Sequence, residues 1–219
     1  MKPRALIFWG GSLGHKPEEL ATIFAEELTR HGFDVRVDAT MECLDDVEAL
    51  KQYTLIIPCW TAGELSPART AALVDTVREH GVGLAGIHGA GDAFRANGIY
   101  QWALGGRFVD HPNRGDYTVR ATDPYHPIMK GFPGSFTHSG AVSEPYYMLV
   151  DPAVHVLADM VDYRFDDRVF HMPVAWVKMW GKGRVFYSSL GHDAALEFRE
   201  YPAVFHMTIN GLLWAANKL

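Results

Sequence analysis

The 219-residue sequence predicts a single α/β domain, spanning 1–219, on a mostly parallel sheet, and three observations predict it. Apolar runs of strand length alternate with helical segments through the first half. Hydrophobic residues make up 48% of the chain, enough for a sizeable core. Glycines and prolines punctuate the junctions between these segments, where turns and helix ends need them.

Arg4 to Trp9 (RALIFW) is a short apolar run closed by Gly10-Gly11, as expected of a strand covered on both faces. A helix follows: Pro17 suits its first turn, Glu18 and Glu19 favour its positive end, and Leu20, Ile23, Phe24 and Leu28 form one apolar face. It closes at His31-Gly32. Phe33 to Asp38 alternates as a strand, and Leu55 to Trp60 (LIIPCW) is a second buried run. Ser66-Pro67 supplies an N-cap and first residue for a helix ending at His80-Gly81. Gly83 to His88 is a third buried run, leading into a small-residue turn and a helical segment extending toward Leu104. Strand and helix alternate throughout, which implies right-handed parallel crossovers with helices on both faces.

From Gly105 to Phe136 glycine, proline and aspartate are dense, and Tyr117 to Thr122 is the only strand pattern. Its aromatics and histidines mark this stretch as a functional insertion (about 105–136), not a spacer. Strand patterns resume at Val154 to Met160, Val174 to Met179 and Val185 to Leu190. The tight turn Trp180 to Gly183 joins the last two, which are expected as an antiparallel pair at one sheet edge. Tyr201-Pro202 opens a final helix facing Val204, Phe205, Ile209, Leu212 and Leu213 inward.

A net charge of −6 and the lack of a basic, aromatic-interleaved run argue against nucleic acid and for small-molecule partners. No stretch approaches the ~20 apolar residues of a membrane span, and the run Ala5 to Trp9 is too short for a signal-peptide core. The two cysteines, Cys43 and Cys59, write neither a disulfide framework nor a tetrathiolate site, so a reducing cytoplasm is expected.

Ligands in open α/β sheets collect beyond the carboxyl ends of the strands. That rule selects four loops, of which three carry a histidine: His15, His88 and His192. The corner GLAGIHGAGD sets His88 among Gly86, Gly89 and Gly91, as a sharp elbow requires, but the corner residue is neither serine nor cysteine. An acyl-enzyme is therefore not expected there. In SSLGHD, Asp193 stands beside His192 as an orienting carboxylate. GSLGH, around His15, matches neither GxGxxG nor a phosphate-binding P-loop. Glu144 in SEPYY is a candidate acid–base group, and Asp92, His111 and His126 are further polar candidates, the two histidines beside proline in the insertion. Trp9, Trp60, Tyr146 and Tyr147 are candidate aromatic walls for a sugar, with Trp60 and Tyr147 as substrate contacts. His31 and His80 read as helix caps, and Cys59 as a small buried thiol. Three histidines with Glu144 or Asp92 suit zinc or another divalent metal, although no HxxxH or HxH pair supports it locally.

The ordered set GSLGH, GLAGIHGAGD, LGGRFVDHP, DPYHPIMKG, SEPYY and WGKGRVFYSSLGHD resembles the ThuA-like, or trehalose utilisation, family almost end to end. The resemblance implies the class I glutamine amidotransferase-like superfamily and its flavodoxin-like three-layer α/β/α sandwich. It places His88 where amidotransferases carry their nucleophilic cysteine and His192 where they carry the triad histidine, so it implies the scaffold without glutaminase activity. It also implies a histidine in the first loop and an acidic–glutamate pair before a tyrosine. His15 and Glu144 match these, with Ser143 in place of the acidic partner.

The expected function is an enzyme acting on a keto-sugar or disaccharide, with His88 and His192 as acid–base groups and Glu144 as their partner. His15, Trp60, Asp92, His111, Tyr147 and Asp193 are expected to contact the substrate. The alternatives are a non-catalytic sugar-binding or regulatory protein and a metal-dependent hydrolase. An apolar, insertion-bearing edge makes a homodimer reasonable.

Overall fold

A computed structural model describes residues 2–111, 114–165 and 168–219. Its strands are β1 (Arg4–Gly11), β2 (Asp34–Asp38), β3 (Leu55–Thr61), β4 (Gly83–Ile87), β5 (Gly106–Asp110), β6 (Tyr117–Ala121), β7 (Ser135–His138), β8 (Tyr147–Val150), β9 (His155–Phe165), β10 (Arg168–Trp180) and β11 (Gly183–Ser188). The helices are α1 (Pro17–Arg30), α2 (Val47–Leu50), α3 (Pro67–His80), α4 (Gly98–Leu104), α5 (Ala194–Glu200) and α6 (Pro202–Ala215).

The main sheet runs β2-β1-β3-β4-β11-β10-β9-β6-β7, and β5 pairs with β8 in a small second sheet. The first five strands pair in parallel, in the doubly wound order in which the chain reverses direction between β1 and β3. Ala5 to Phe8, Leu55 to Ile57 and Leu84 to Ala85 are fully buried, because helices cover both faces of these strands. α1, α5 and α6 pack along one face, and α2, α3 and α4 form the opposite layer. The architecture is the flavodoxin-like sandwich.

Local chemistry sets the ends of these elements. Ser66 Oγ accepts the Arg69 amide (3.3 Å) at the start of α3, and Gly81 ends that helix with φ +75°. Asn97 Oδ1 accepts the Tyr100 amide (3.1 Å) and starts α4. The chain therefore does not run helically from the His88 corner to Leu104. A short 3-10 turn over His88–Gly91 comes first, and α4 is a separate helix.

The β10–β11 pair is antiparallel as expected, but it lies inside the sheet and not at its edge. β9 and β10 form a long hairpin, and β6 and β7 continue the sheet beyond it. Pro173, which cannot donate a ladder hydrogen bond, sits where the β9–β10 register shifts, so the strand survives it at a bulge. The insertion thus holds β5 and the start of β7 beside the expected β6. Among the described residues, no helix is long and apolar enough to cross a membrane.

Candidate functional site

The carboxyl ends of β1, β3, β4 and β11 converge at the reversal of strand order. His88 follows β4 directly, at the first position of the 3-10 turn, with φ +37°. A β-carbon disfavours this left-handed conformation, so the surroundings must impose it at a cost of about 1–3 kcal/mol. Tyr187 on β11 fixes the corner by donating its hydroxyl hydrogen to the His88 carbonyl (2.9 Å). Two glycines let the neighbours close in: a Cβ at Gly91 would stand 2.3 Å from the Tyr187 hydroxyl, and one at Gly89 would stand 1.9 Å from Thr61 Oγ1.

His15, on the loop after β1, and His192, on the loop after β11, meet His88 there. Ring centroids lie 5.0 Å apart for His15–His88, 4.9 Å for His15–His192 and 5.1 Å for His88–His192, with every pair edge-to-face. One nitrogen from each ring lies within 4.8 Å of the others. His88 is 1% exposed, and its Nδ1 meets the Ser189 carbonyl oxygen at 2.8 Å. A carbonyl only accepts, so Nδ1 carries the hydrogen and Nε2 of the neutral ring presents a bare lone pair. That Nε2 is buried and has no hydrogen-bond partner. Burial first, then the charges that His15 and His192 would carry, hold the His88 pKa well below the ordinary histidine value, so this ring is neutral at physiological pH. His15 is lowered as well, by burial and then by His192, with Asp92 and Glu144 opposing. Its Nδ1 contacts Thr61 Oγ1 at 2.8 Å, leaving Nε2 to face outward from that bond.

Tyr146 closes one side, with its ring centroid 4.1 Å from that of His88. Behind it stand Phe108 and His111, at 4.4 and 5.0 Å. Glu144 reaches His111 Nε2 (3.3 Å) and Arg114 Nη1 (3.0 Å), and not His88 or His192 as expected. Ser143, in place of the acidic partner, is fully buried and its Oγ accepts the His192 amide at 3.4 Å. Trp60 packs between Phe8 and Phe94 and lines a narrow cavity, about 10 Å³, beneath His15 and His88.

Three expected contacts are otherwise employed. Asp193 caps α5 through the Leu196 amide (3.3 Å) and pairs with Lys16 Nζ (2.7 Å), so it anchors the loop instead of orienting His192. Asp92 is buried and held by Arg95 through two nitrogens. Tyr147 opens β8 and packs edge-to-face against Phe170, while Tyr146 takes the place at the pocket; successive residues face opposite ways. His126 lies against Trp214 and His155, away from these groups. Cys59 lines the cavity, and complete burial pushes its thiol far up, which suits neither nucleophile nor thiolate ligand.

One pair escaped sequence reasoning. His138 and Glu197 are both fully buried, and His138 Nε2 meets Glu197 Oε1 at 3.0 Å. Glu197 Oε2 accepts the Gly191 amide (2.8 Å), directly before His192, and His138 lies stacked between Tyr117 and Tyr201. No local signal joins positions so far apart in the chain. A wider cavity, about 670 Å³ between α3 and residues 94–99, is lined by no histidine. Size alone would favour it, but the converging unpartnered chemistry lies at the three imidazoles.

Known structures share this fold. A ThuA-like protein from Bacteroides uniformis is 24% identical, with a TM-score of 0.77 over 97% of this chain and 91% of its own. Another from Parabacteroides merdae is 16% identical, with a TM-score of 0.74 over 99% and 90%. The glutaminase domain of CTPS from Trypanosoma brucei is 12% identical, with a TM-score of 0.57 over 99% and 94%, and shares the fold. No curated protein matches. The family model for ThuA, described as trehalose utilisation, matches residues 4–215, and the chain therefore belongs to this carbohydrate-utilisation family.

Proposed function

We propose that the protein is an enzyme of carbohydrate metabolism that acts on a keto-sugar or keto-disaccharide by proton transfer at the three-histidine pocket, without glutaminase activity. One observation carries this reading: a strained elbow on a glutaminase-like scaffold presents a neutral imidazole with a bare, buried Nε2 where a thiol or hydroxyl would stand. A ring ketone acidifies the adjacent C–H. When that bond breaks, the proton passes to a base and the electron pair enters the enolate. Re-forming the ketone expels the glycosidic oxygen from the next carbon along, and this oxygen takes up the proton. The pocket offers His88, His192 and the Glu144–His111 pair for these transfers, with Tyr146 and Trp60 as flat walls for a sugar ring.

The partner in this reading is a small carbohydrate and not nucleic acid, in keeping with the net charge of −6. The whole chain acts as one unit, with 105–136 supplying His111 and Arg114 to the pocket rim. A cytoplasmic location is part of the proposal, supported by two Salmonella proteins of the same fold described as cytoplasmic, at 14% and 15% identity. So is a homodimer, with exposed Trp102 and Leu149 beside one groove as the face to be covered.

The test is mass spectrometry of a panel of oxidised disaccharides incubated with wild type, H88A, H192A and E144Q. Cleavage or isomerisation by wild type and its loss in H88A and H192A is the expected result. Tight calorimetric binding of unmodified sugars with no product from any keto-sugar would replace the enzyme with a binding protein.

A further inference from the structure

We infer that His15, His88 and His192 form a binding site for one divalent transition-metal ion of the zinc type, with a coordination position left open toward Tyr146. What the ion does rests on the reading of the pocket above; its binding does not require a sugar.

Four observations converge on this site. The three ligating nitrogens lie within 4.8 Å of one another, so some point between them lies no farther than about 2.8 Å from each, against ~2.0–2.1 Å for zinc–nitrogen bonds. Closing that gap needs less than about 1 Å of movement per ring. His88 is pinned by its backbone bond, while His15 and His192 are only partly buried and can supply the movement.

The second observation is the unpartnered Nε2 of His88. A buried acceptor without a donor is destabilising, and a cation removes that cost. Third, Nδ1 of His88 bonds a backbone carbonyl and Nδ1 of His15 bonds a hydroxyl, the outer contacts that fix the ring orientation of metal-bound histidines. Fourth, all three donors are imidazoles. Neutral nitrogen donors suit zinc, cobalt or nickel and not calcium or magnesium, which take oxygen ligands.

Three protein ligands leave room for a substrate oxygen or a water, the arrangement of a catalytic and not a structural site. Asp92 and Glu144 act electrostatically on His15 and offset the charge of a bound ion. With the imidazoles engaged on metal, the proton transfers proposed above pass from His88 and His192 to the Glu144–His111 pair, the acid–base group left in the pocket.

The experiment uses untagged full-length protein, stripped with a chelator and titrated with zinc by calorimetry and with cobalt by visible absorption. One equivalent bound, with the cobalt band of a four- or five-coordinate nitrogen site, is expected. H15A, H88A and H192A should each weaken zinc binding about 100-fold or more, while H126A, away from the pocket, should not. Because H88A touches a strained corner, T61V provides a gentler variant: it removes the bond to His15 Nδ1 and should weaken binding about 10-fold. Failure of folded wild type to take up any of zinc, cobalt, nickel or manganese overturns the inference, as does uptake that the pocket variants leave unchanged. Metal binding without turnover of any keto-sugar would sink the proposed reaction alone, and turnover by wild type that binds none of these ions would sink the metal alone.

Discussion

Glu197→Ala should be among the most damaging polar substitutions in this chain, although residue 197 contacts no predicted substrate group. The carboxylate is fully buried and makes two bonds, to His138 Nε2 at 3.0 Å and from the Gly191 amide at 2.8 Å. His138 Nδ1 already donates to the Ser139 carbonyl (3.1 Å), so both ring nitrogens face oxygen atoms. Alanine leaves His138 Nε2 and the Gly191 N–H without partners in a buried interior. Removing one member of such a pair costs about 3–5 kcal/mol. For a chain of this length that is a fall in Tm of about 6–20 °C. Urea unfolding gives the free energy directly, with an unchanged slope as the control for two-state behaviour. Glu197→Gln keeps the shape and can accept from Gly191 while donating to a neutral His138, so its cost should be less than half that of alanine. Because Gly191 precedes His192, the alanine variant should also weaken whatever the pocket binds. A loss below about 1 kcal/mol for Glu197→Ala would refute the reasoning, since it would mean that water or another donor reaches the site.

Three further outcomes follow from the same geometry. Gly89→Ala drives a methyl into Thr61 Oγ1 and toward His15 Nδ1, and should cost about 1–3 kcal/mol in urea unfolding and most of the pocket's binding; full retention of both would contradict the close packing. The His88 pKa is depressed in the folded state, so the unfolded chain binds the extra proton: this contribution to stability is complete above about pH 6.5 and declines as pH falls below it, by about 1 kcal/mol per pH unit, and equal stability at about pH 7.5 and 5.5 would exclude it. Burial raises both thiols, Cys43 to about 12, so neither should react with a thiol reagent at about pH 8 until the protein is unfolded; rapid labelling of the native protein would show that Cys59 is accessible.

The parallel half of the sheet was legible because its strands are buried on both faces and read as unbroken apolar runs such as Ala5 to Phe8. The helices between them carry recognisable caps, as at Ser66-Pro67. The antiparallel half was only partly legible. β9 and β10 carry polar residues and a proline, and their length is set by pairing with each other across bulges, a property of two segments jointly. β5, β7 and β8 are too short for a clear alternation. At the site, the corner at His88 could be found because its glycines are adjacent in sequence. The loops of His15 and His192 could be set at the same sheet edge by the rule that ligands collect beyond the carboxyl ends of strands, but how closely the rings meet depends on strand order, which periodicity does not fix. Asp193 and Tyr147 misled for a common reason: adjacency in sequence does not fix which way a side chain points. The His138–Glu197 pair had no local trace.

The most direct test is a crystal of the wild-type protein soaked with zinc and a keto-disaccharide, with anomalous data at the zinc edge. An anomalous peak bonded to Nε2 of His88 and shared with His15 and His192, with the sugar ring against Tyr146, is the predicted result. An undisturbed set of imidazoles, with the sugar instead seated in the larger cavity by Phe94 and Ile99, would contradict the assignment of the three-histidine pocket as the reaction centre.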